Sequence, residues 1–371
     1  MASRKGFHPT QIVAGAFTAI ILLGTFLLSL PIATNSGKMT PFLDALFTAT
    51  SATTVTGLST LNVETHWNLF GHVVIALLIQ FGGFGIVGFA SLVTILLEGK
   101  VSLKNRLLTT SEAGSNASNI KGLLFNVLKI MFFFQGFLLI FLFFRFLTEY
   151  QYEWNKALAH GVFHAISAFN NAGFALYADS MIGFARDPWI IVPIFITVFI
   201  ASVGFPTIVE IRDRLRLKMA PLLRRKENYT MPEQWSLNSR ITLWGSLVLL
   251  VGGTFAIGFL EWNNPATLGP LPWWDKIFDS IFAAVMPRTA GFNSVDVLGM
   301  LPSSWLVTDI LMFIGGASVS TAGGIKIGTA VVLFYIVYTE VRGETAVNIG
   351  NRRLPRSMQR QALTIVTVTT F

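Results

Sequence analysis

The chain has 371 residues, of which 53% are hydrophobic and 12% charged, with a mean hydropathy of +0.61 and a net charge of +8. Soluble proteins carry about 25% charged residues, so this composition excludes an ordinary soluble protein and places the chain in a bilayer. Without cysteine there is no disulfide framework, thiolate zinc site or Cys nucleophile, and the five histidines show no metal-binding spacing.

The basic residues gather in blocks between apolar runs: Arg4 and Lys5; Lys100, Lys104, Arg106 and Lys121; Arg212 to Arg240; and Arg342 to Arg360. The other polar stretches carry only Lys38, Lys156, Arg186 and Lys276. By the positive-inside rule the rich blocks and the amino terminus are cytoplasmic. Topology and contact with anionic lipid account for the basic excess without nucleic acid.

In chain order, residues 11–32 form a first apolar run long enough to cross a core of about 30 Å, and too long for the apolar region of a cleaved signal. Pro41 then opens a short segment, 42–52, which cannot cross as a helix and must re-enter. Its return limb is 53–59, and 69–97 spans back. The pattern recurs: 123–147 spans, 155–168 is a short helix and 189–209 spans, with Pro193 and Pro206 as candidate kinks; 241–260 spans and 273–285 is a short helix. Lys129 and Arg145, near opposite ends of one span, are expected to snorkel to the interfaces.

Each short helix runs into the same kind of loop. Thr54-Val55-Thr56-Gly57-Leu58, Asn170-Asn171-Ala172-Gly173-Phe174 and Arg288-Thr289-Ala290-Gly291-Phe292 place Gly at intervals of 116 and 118 residues, a long-period repeat. Repeat units therefore read as 1–100, 101–226 and 227–350, with 351–371 opening a fourth whose Gly would fall near position 408. The expected fold is an all-α integral membrane protein whose span, pore helix, filter loop and span units surround a pseudo-fourfold pore. Helix carboxyl ends carry about half a negative charge and favour a cation between them. Gly permits the backbone angles that turn carbonyl oxygens toward an axis, where they replace the hydration shell of a potassium ion.

After the third loop the chain is apolar from 303 to 341, which as one helix would be about 58 Å long. Its middle is rich in Gly and hydroxyls, which predicts a break. Gly315, Gly316, Ser318, Ser320, Thr321, Gly323, Gly324 and Lys326 form a candidate gate loop across the pore, closed by hydroxyl contacts or, in the plainer reading, a packing kink. Lys326 is either an electrostatic barrier or an anchor, and the stretch lacks the spacing of a phosphate loop. The full spans hold no Asp or Glu away from their ends, which disfavours a sodium- or proton-coupled carrier, the alternative function. No Ser/His/Asp set suggests an enzyme.

These three pentapeptides, with Ser320-Thr321-Ala322-Gly323-Gly324-Ile325-Lys326, resemble the filter and intramembrane gating loops of the Trk/Ktr/HKT potassium transporters, most of all the bacterial KtrB type, along essentially the whole chain. The resemblance implies a potassium transporter with no covalent cofactor and no enzymatic activity. Thr54, Val55, Thr56, Gly57, Asn170, Asn171, Ala172, Gly173, Thr289, Ala290 and Gly291 would be the filter residues, holding K+ by backbone carbonyls. It further implies stimulation by Na+, a homodimer with one pore per subunit, a cytoplasmic nucleotide-binding ring subunit of the KtrA type as regulator, and a place in a bacterial cell membrane. Glycine at the filter position of every unit goes with potassium selectivity in that family.

Overall fold

The computed structural model describes residues 9–98, 120–219, 234–288, 290–343, 346–349 and 352–370. The basic residues at 4, 5, 100, 104, 106 and 224–226, the unit boundaries near 100 and 226, and Thr289 of the third filter motif lie outside them. The chain packs as two compact units, Met1–Val198 with Ala290–Val297, and Phe199–Thr289 with Leu298–Phe371.

The first unit holds α1 (Pro9–Ser29), α2 (Phe42–Thr53), a short α3 (Val63–His66), α4 (Leu69–Glu98), α5 (Ile120–Thr148), α6 (Trp154–Asn170) and the start of α7 (Pro188–Val203). Helices α1 and α4 pack on the short α2, and α5 and α4 pack on the short α6. Helix α2 can be enclosed because its buried face is small: Ala45, Thr48, Ala49, Ser51, Ala52 and Thr53. Small residues let helix backbones approach closely where lipid offers no hydrophobic drive for association. Leu28, Trp67, Ile75, Leu78 and Ile79 fill the space around that face.

Polar side chains fix the helix starts. Asn68 donates to the carbonyls of Ile32 and Thr34 while its Oδ1 accepts from Phe70 and Gly71 at the head of α4. Asp187, 6% exposed, accepts from the Trp189 N–H at the head of α7 and from Arg145 Nε at 2.8 Å and the Tyr150 hydroxyl at 3.1 Å. Arg145 is therefore paired with Asp187, and also with Glu149 at 3.2 Å, where the sequence suggested simple snorkelling.

The second unit holds α8 (Phe205–Met219), α9 (Leu237–Glu261), α10 (Trp273–Val285), α11 (Pro302–Phe313), α12 (Ile327–Val341), a two-residue hairpin of β1 (Asn348–Ile349) with β2 (Arg352–Arg353), and α13 (Arg356–Thr370). Helix α9 packs on α8, α10, α11 and α12, and α13 packs on α12. Two segments, Phe125–Thr148 and Leu237–Glu261, are long and apolar enough to cross a membrane.

Two glutamates tie the ends of α9. Glu261, 1% exposed, accepts from Thr267, Asn264, Ser304 and the Leu301 N–H. At the other end Glu210 accepts from Arg214, from the N–H and hydroxyl of Ser236 and from the Ser239 hydroxyl at 2.6 Å, facing the positive pole of α9. Burial acts to raise the Glu210 carboxyl, but the hydrogen bonds from Ser239, Ser236 and Arg214 outweigh it and hold the group below its ordinary 4.5. A depressed folded value makes this contribution full above about pH 4.5, with loss as pH falls through the lower folded value. Glu210→Ala is expected to cost about 1–3 kcal/mol and to flatten the acid limb of a melting-temperature profile of the detergent-solubilised protein. An unchanged acid limb would show that the clasp contributes nothing.

Candidate functional site

The three short helices end three to six residues before Gly57, Gly173 and Gly291. The loops of the first two are built alike. Thr56 N–H donates to the Ser51 carbonyl and Ala172 N–H to the Ser167 carbonyl, each at 2.8 Å and each five residues back. Val55 and Asn171, two residues before their glycines, both take left-handed backbone at φ 58°. Asn tolerates that conformation at a helix end; for β-branched Val it is strained. The third counterpart, Thr289, is outside the described residues.

The glycines are left-handed as well, with φ of 85° at Gly57, 72° at Gly173 and 71° at Gly291. They also adjoin. A methyl group on Gly57 would collide with the Ala172 carbonyl oxygen, one on Gly173 would lie 2.6 Å from the Ala290 carbonyl oxygen, and one on Gly291 would lie 3.6 Å from Gly173 Cα. Residues more than a hundred positions apart thus meet backbone to backbone. The limbs leaving the loops are stitched too: Ala178 N–H donates to Glu64, Met181 N–H to the Asn293 carbonyl, and Asn293 N–H to Ser180 Oγ.

Several supports escaped the sequence reading. Ser51 Oγ accepts from Leu58 N–H at 2.8 Å, and Ser167 Oγ donates to the Phe174 carbonyl at 2.7 Å; each serine stands six residues before its glycine and straps the residue after it. The shared register was a visible signal, broken in the third loop by Val285. Fully buried His164 donates from Nδ1 to the His160 carbonyl and accepts at Nε2 from Leu176 N–H, which fixes its neutral tautomer and pins the limb behind Gly173. On α4, Gly82 lies against the Thr53 carbonyl and Gly83 against Asn170 Oδ1, with no room for a methyl at either.

In the second unit the long apolar run is broken between α11 and α12. The base of the loop is pinched: Gly315 N–H donates to the Ile325 carbonyl at 3.1 Å, Ile325 N–H to Phe313 at 3.0 Å and Ile327 N–H to Gly316 at 3.0 Å. A Cβ on Gly315 would collide with the Gly323 carbonyl, and one on Gly316 with Ala322 Cβ; Gly324 is left-handed at φ 68°. Of the predicted hydroxyls, buried Ser320 donates to the Ala317 carbonyl at 2.6 Å and Thr321 is buried, whereas Ser318 is exposed. Lys326 donates its ammonium to the Ala322 carbonyl, the geometry of an anchor. Buried Arg288 donates to the Gly315 carbonyl at 3.4 Å.

The loop rests on a second break. Ala317 N–H donates to the Ser202 carbonyl and Phe205 N–H to Val319, while Gly204, at φ 88°, has its α-carbon face against the Ser318 carbonyl. The helix predicted over 189–209 is interrupted here, in the turn before Pro206, whose missing N–H leaves the Ser202 carbonyl to accept from Ala317, whereas Pro193 is accommodated within α7.

A family model described as a cation transport protein, TrkH, matches residues 3–371. The chain belongs to the TrkH cation transport family. Ktr system potassium uptake protein B of Bacillus subtilis is 36% identical over 98% of this chain and 78% of its own length. Potassium/sodium uptake protein NtpJ of Enterococcus hirae is 33% identical over 99% and 77%, and Ktr system potassium uptake protein B of Vibrio alginolyticus 31% identical over 98% and 76%. The crystal structure of the potassium transporter TrkH from Vibrio parahaemolyticus superposes with a TM-score of 0.72 at 17% identity, covering 98% of this chain and 70% of that one. The family resemblance read from the pentapeptides and the all-α membrane fold are borne out.

Within this TrkH fold the α4 notch separates packing from mere flexibility. Gly82→Ala, which drives a methyl into the Thr53 carbonyl, is expected to destabilise by about 1–3 kcal/mol. Gly136→Ala on α5, where nothing lies within 4 Å of the new atom, is expected to be neutral or to stabilise by about 0.5–1 kcal/mol. Thermal melts of the two purified variants check this; equal effects would dismiss the notch.

Proposed function

We propose that this TrkH-family chain moves potassium across the cell membrane through a filter of backbone carbonyls from residues 54–57, 170–173 and 289–291. The observation that carries the reading is the meeting of three left-handed glycines, with Gly57 against the Ala172 carbonyl, Gly173 against the Ala290 carbonyl and Gly291 beside the α-carbon of Gly173. A cation there sees carbonyl dipoles and the negative ends of the short helices. The names of the relatives, potassium uptake proteins, support the same cargo.

The finer assignments are part of the same proposal. Units 1–100, 101–226 and 227–350 act as quasi-equivalent parts of one pore and 351–371 opens a fourth, with the amino terminus cytoplasmic by the positive-inside rule. Gly315, Gly316, Ser318, Ser320, Thr321, Gly323, Gly324 and Lys326 form the gate. The protein works as a homodimer in a bacterial plasma membrane, under a cytoplasmic nucleotide-binding ring of the KtrA type; relatives named as Ktr system components support a multi-component assembly. Sodium acts as activator, and the relative named as a potassium/sodium uptake protein makes sodium the ion to test beside potassium.

A side chain at a left-handed position costs about 1–2 kcal/mol, so Gly57→Ser and Gly291→Ser are each expected to lower the K+/Na+ uptake ratio on the order of tenfold in potassium-deficient cells. Unaltered ratios in both variants would sink the filter. Removing residues 315–324 is expected to raise potassium flux several-fold above that of the intact chain at equal membrane abundance, and equal or lower flux would count against the gate. Uptake measured with and without sodium separates activation by sodium from obligatory coupling, which would abolish flux in its absence.

A further inference from the structure

The buried side chains behind the second loop carry a role that the filter motif itself does not contain. Asn170 stands three residues before Gly173, is 0% exposed and ends α6. Its Nδ2 donates to the Ile166 carbonyl at 2.9 Å and to Gln80 Oε1 at 3.0 Å. Gln80, on α4, accepts at the same oxygen from Gln135 Nε2 of α5 at 2.8 Å. Gln135 is 6% exposed. Three helices are joined through one amide oxygen.

The orientation of this chain of amides follows from its one backbone member. The Ile166 carbonyl only accepts, so the atom of Asn170 facing it is nitrogen. That nitrogen needs an acceptor on Gln80, so Oε1 faces Asn170, and the remaining partner on Gln135 must be a donor. Asn170 Oδ1 and Gln80 Nε2 have no hydrogen-bond partner among the described residues. Leaving them so costs stability, and an apolar trio would fill the space without that cost. What the amides supply is geometry.

The counterparts of Asn170 in the other loops have different partners among the described residues. Thr54 bonds locally, to the Thr50 carbonyl and to Thr56 Oγ1, and Arg288 bonds the Gly315 carbonyl. In the second loop, rotation of Asn170 is blocked on both sides: Gln80 holds its nitrogen, and its oxygen rests on the bare Gly83 backbone. The next residues are Asn171 at φ 58° and Gly173 at φ 72°, whose neighbouring carbonyls face the adjoining loops.

We propose that Gln80 and Gln135 are positioning residues for ion selectivity, holding Asn170 so that the Asn171–Gly173 backbone keeps its carbonyl geometry. The inference rests on the filter reading above. Its test measures K+, Rb+ and Na+ uptake by potassium-deficient cells producing the full chain, with membrane abundance recorded. Gln80→Leu removes the shared acceptor and is expected to lower the K+/Na+ ratio about tenfold, whereas a purely structural role would lower uptake of all three ions in proportion. Gln80→Glu retains a carbonyl-type oxygen at the same place and is expected to restore most of the ratio; Gln135→Leu, which removes only the outer donor, is expected to lower it about threefold.

A normal ratio in Gln80→Leu beside a lowered one in Gly57→Ser overturns the inference and leaves the filter standing, and so does Gln80→Glu behaving as badly as Gln80→Leu. Normal ratios in Gly57→Ser and Gln80→Leu alike would fail the filter reading itself. Should Gln80→Leu not accumulate in the membrane, Gln135→Leu decides, and a wild-type ratio there overturns the proposal.

Discussion

The loops of the first unit depend on three polypeptide backbones meeting, and at two of the three glycines no side chain fits. Gly57, Gly173 and Gly291 are left-handed, and Gly57 and Gly173 lie against carbonyls of the neighbouring loops, a conformation and an approach that only glycine combines cheaply. Backbone carbonyls brought together repel one another unless a cation lies among them, so the arrangement must be imposed by its surroundings. The short helices, the serine straps and the α4 notch are that imposition. The straps act on the residue just after a glycine, and the notch acts on residues three and four before one.

The same logic explains where small residues sit. Ala45, Ala49 and Ala52 admit α2 to the interior, and Gly82 and Gly83 let α4 touch the ends of two loops. In the second unit Gly204, Gly315, Gly316 and Gly324 do likewise for the broken span, each against a backbone atom or a side chain with no space to spare. Large apolar residues such as Phe132, Phe133, Phe137 and Phe144 remain on the outer surface, where lipid can cover them. Small residues mark the points where backbones meet, while large ones both cover the surface and, like Trp67, Phe169 and Phe174, fill the space between those points.

Much of this was legible because repetition made it so. A single Gly after a short helix says little, but three in register placed α2, α6 and α10 nearly to the residue, and glycine density located the break between Phe313 and Ile327. The helix break at Gly204 was only partly legible. Pro193 and Pro206 were the local signals, and only Pro206 adjoins the break, whose fit of Gly204 against the Ser318 carbonyl comes from more than a hundred residues away. The left-handed Val55 was hidden for a related reason: local preference argues against it, and the closed loop around it overrides that preference. Gln80 and Gln135 carry no local signal at all, since a glutamine in an apolar helix reads as an isolated polar residue until its partners from other helices are known.

The charged groups complete the argument about mechanism. Asp187 is taken up by Arg145, Tyr150 and a helix start, Glu210 and Glu261 by the two ends of α9, and Lys326 by the Ala322 carbonyl. Carriers that couple to protons or sodium need carboxylates free to exchange ligands near the membrane centre. These carboxylates instead have their acceptor capacity filled by backbone and hydroxyl donors at element ends, where release would cost the anchoring of a helix. In the proposed filter the groups that meet an ion are neutral carbonyls in adjoining loops. Carbonyls so placed would bind a cation by dipole and release it without a proton transfer, which suits conduction along a chemical and electrical gradient better than stoichiometric coupling.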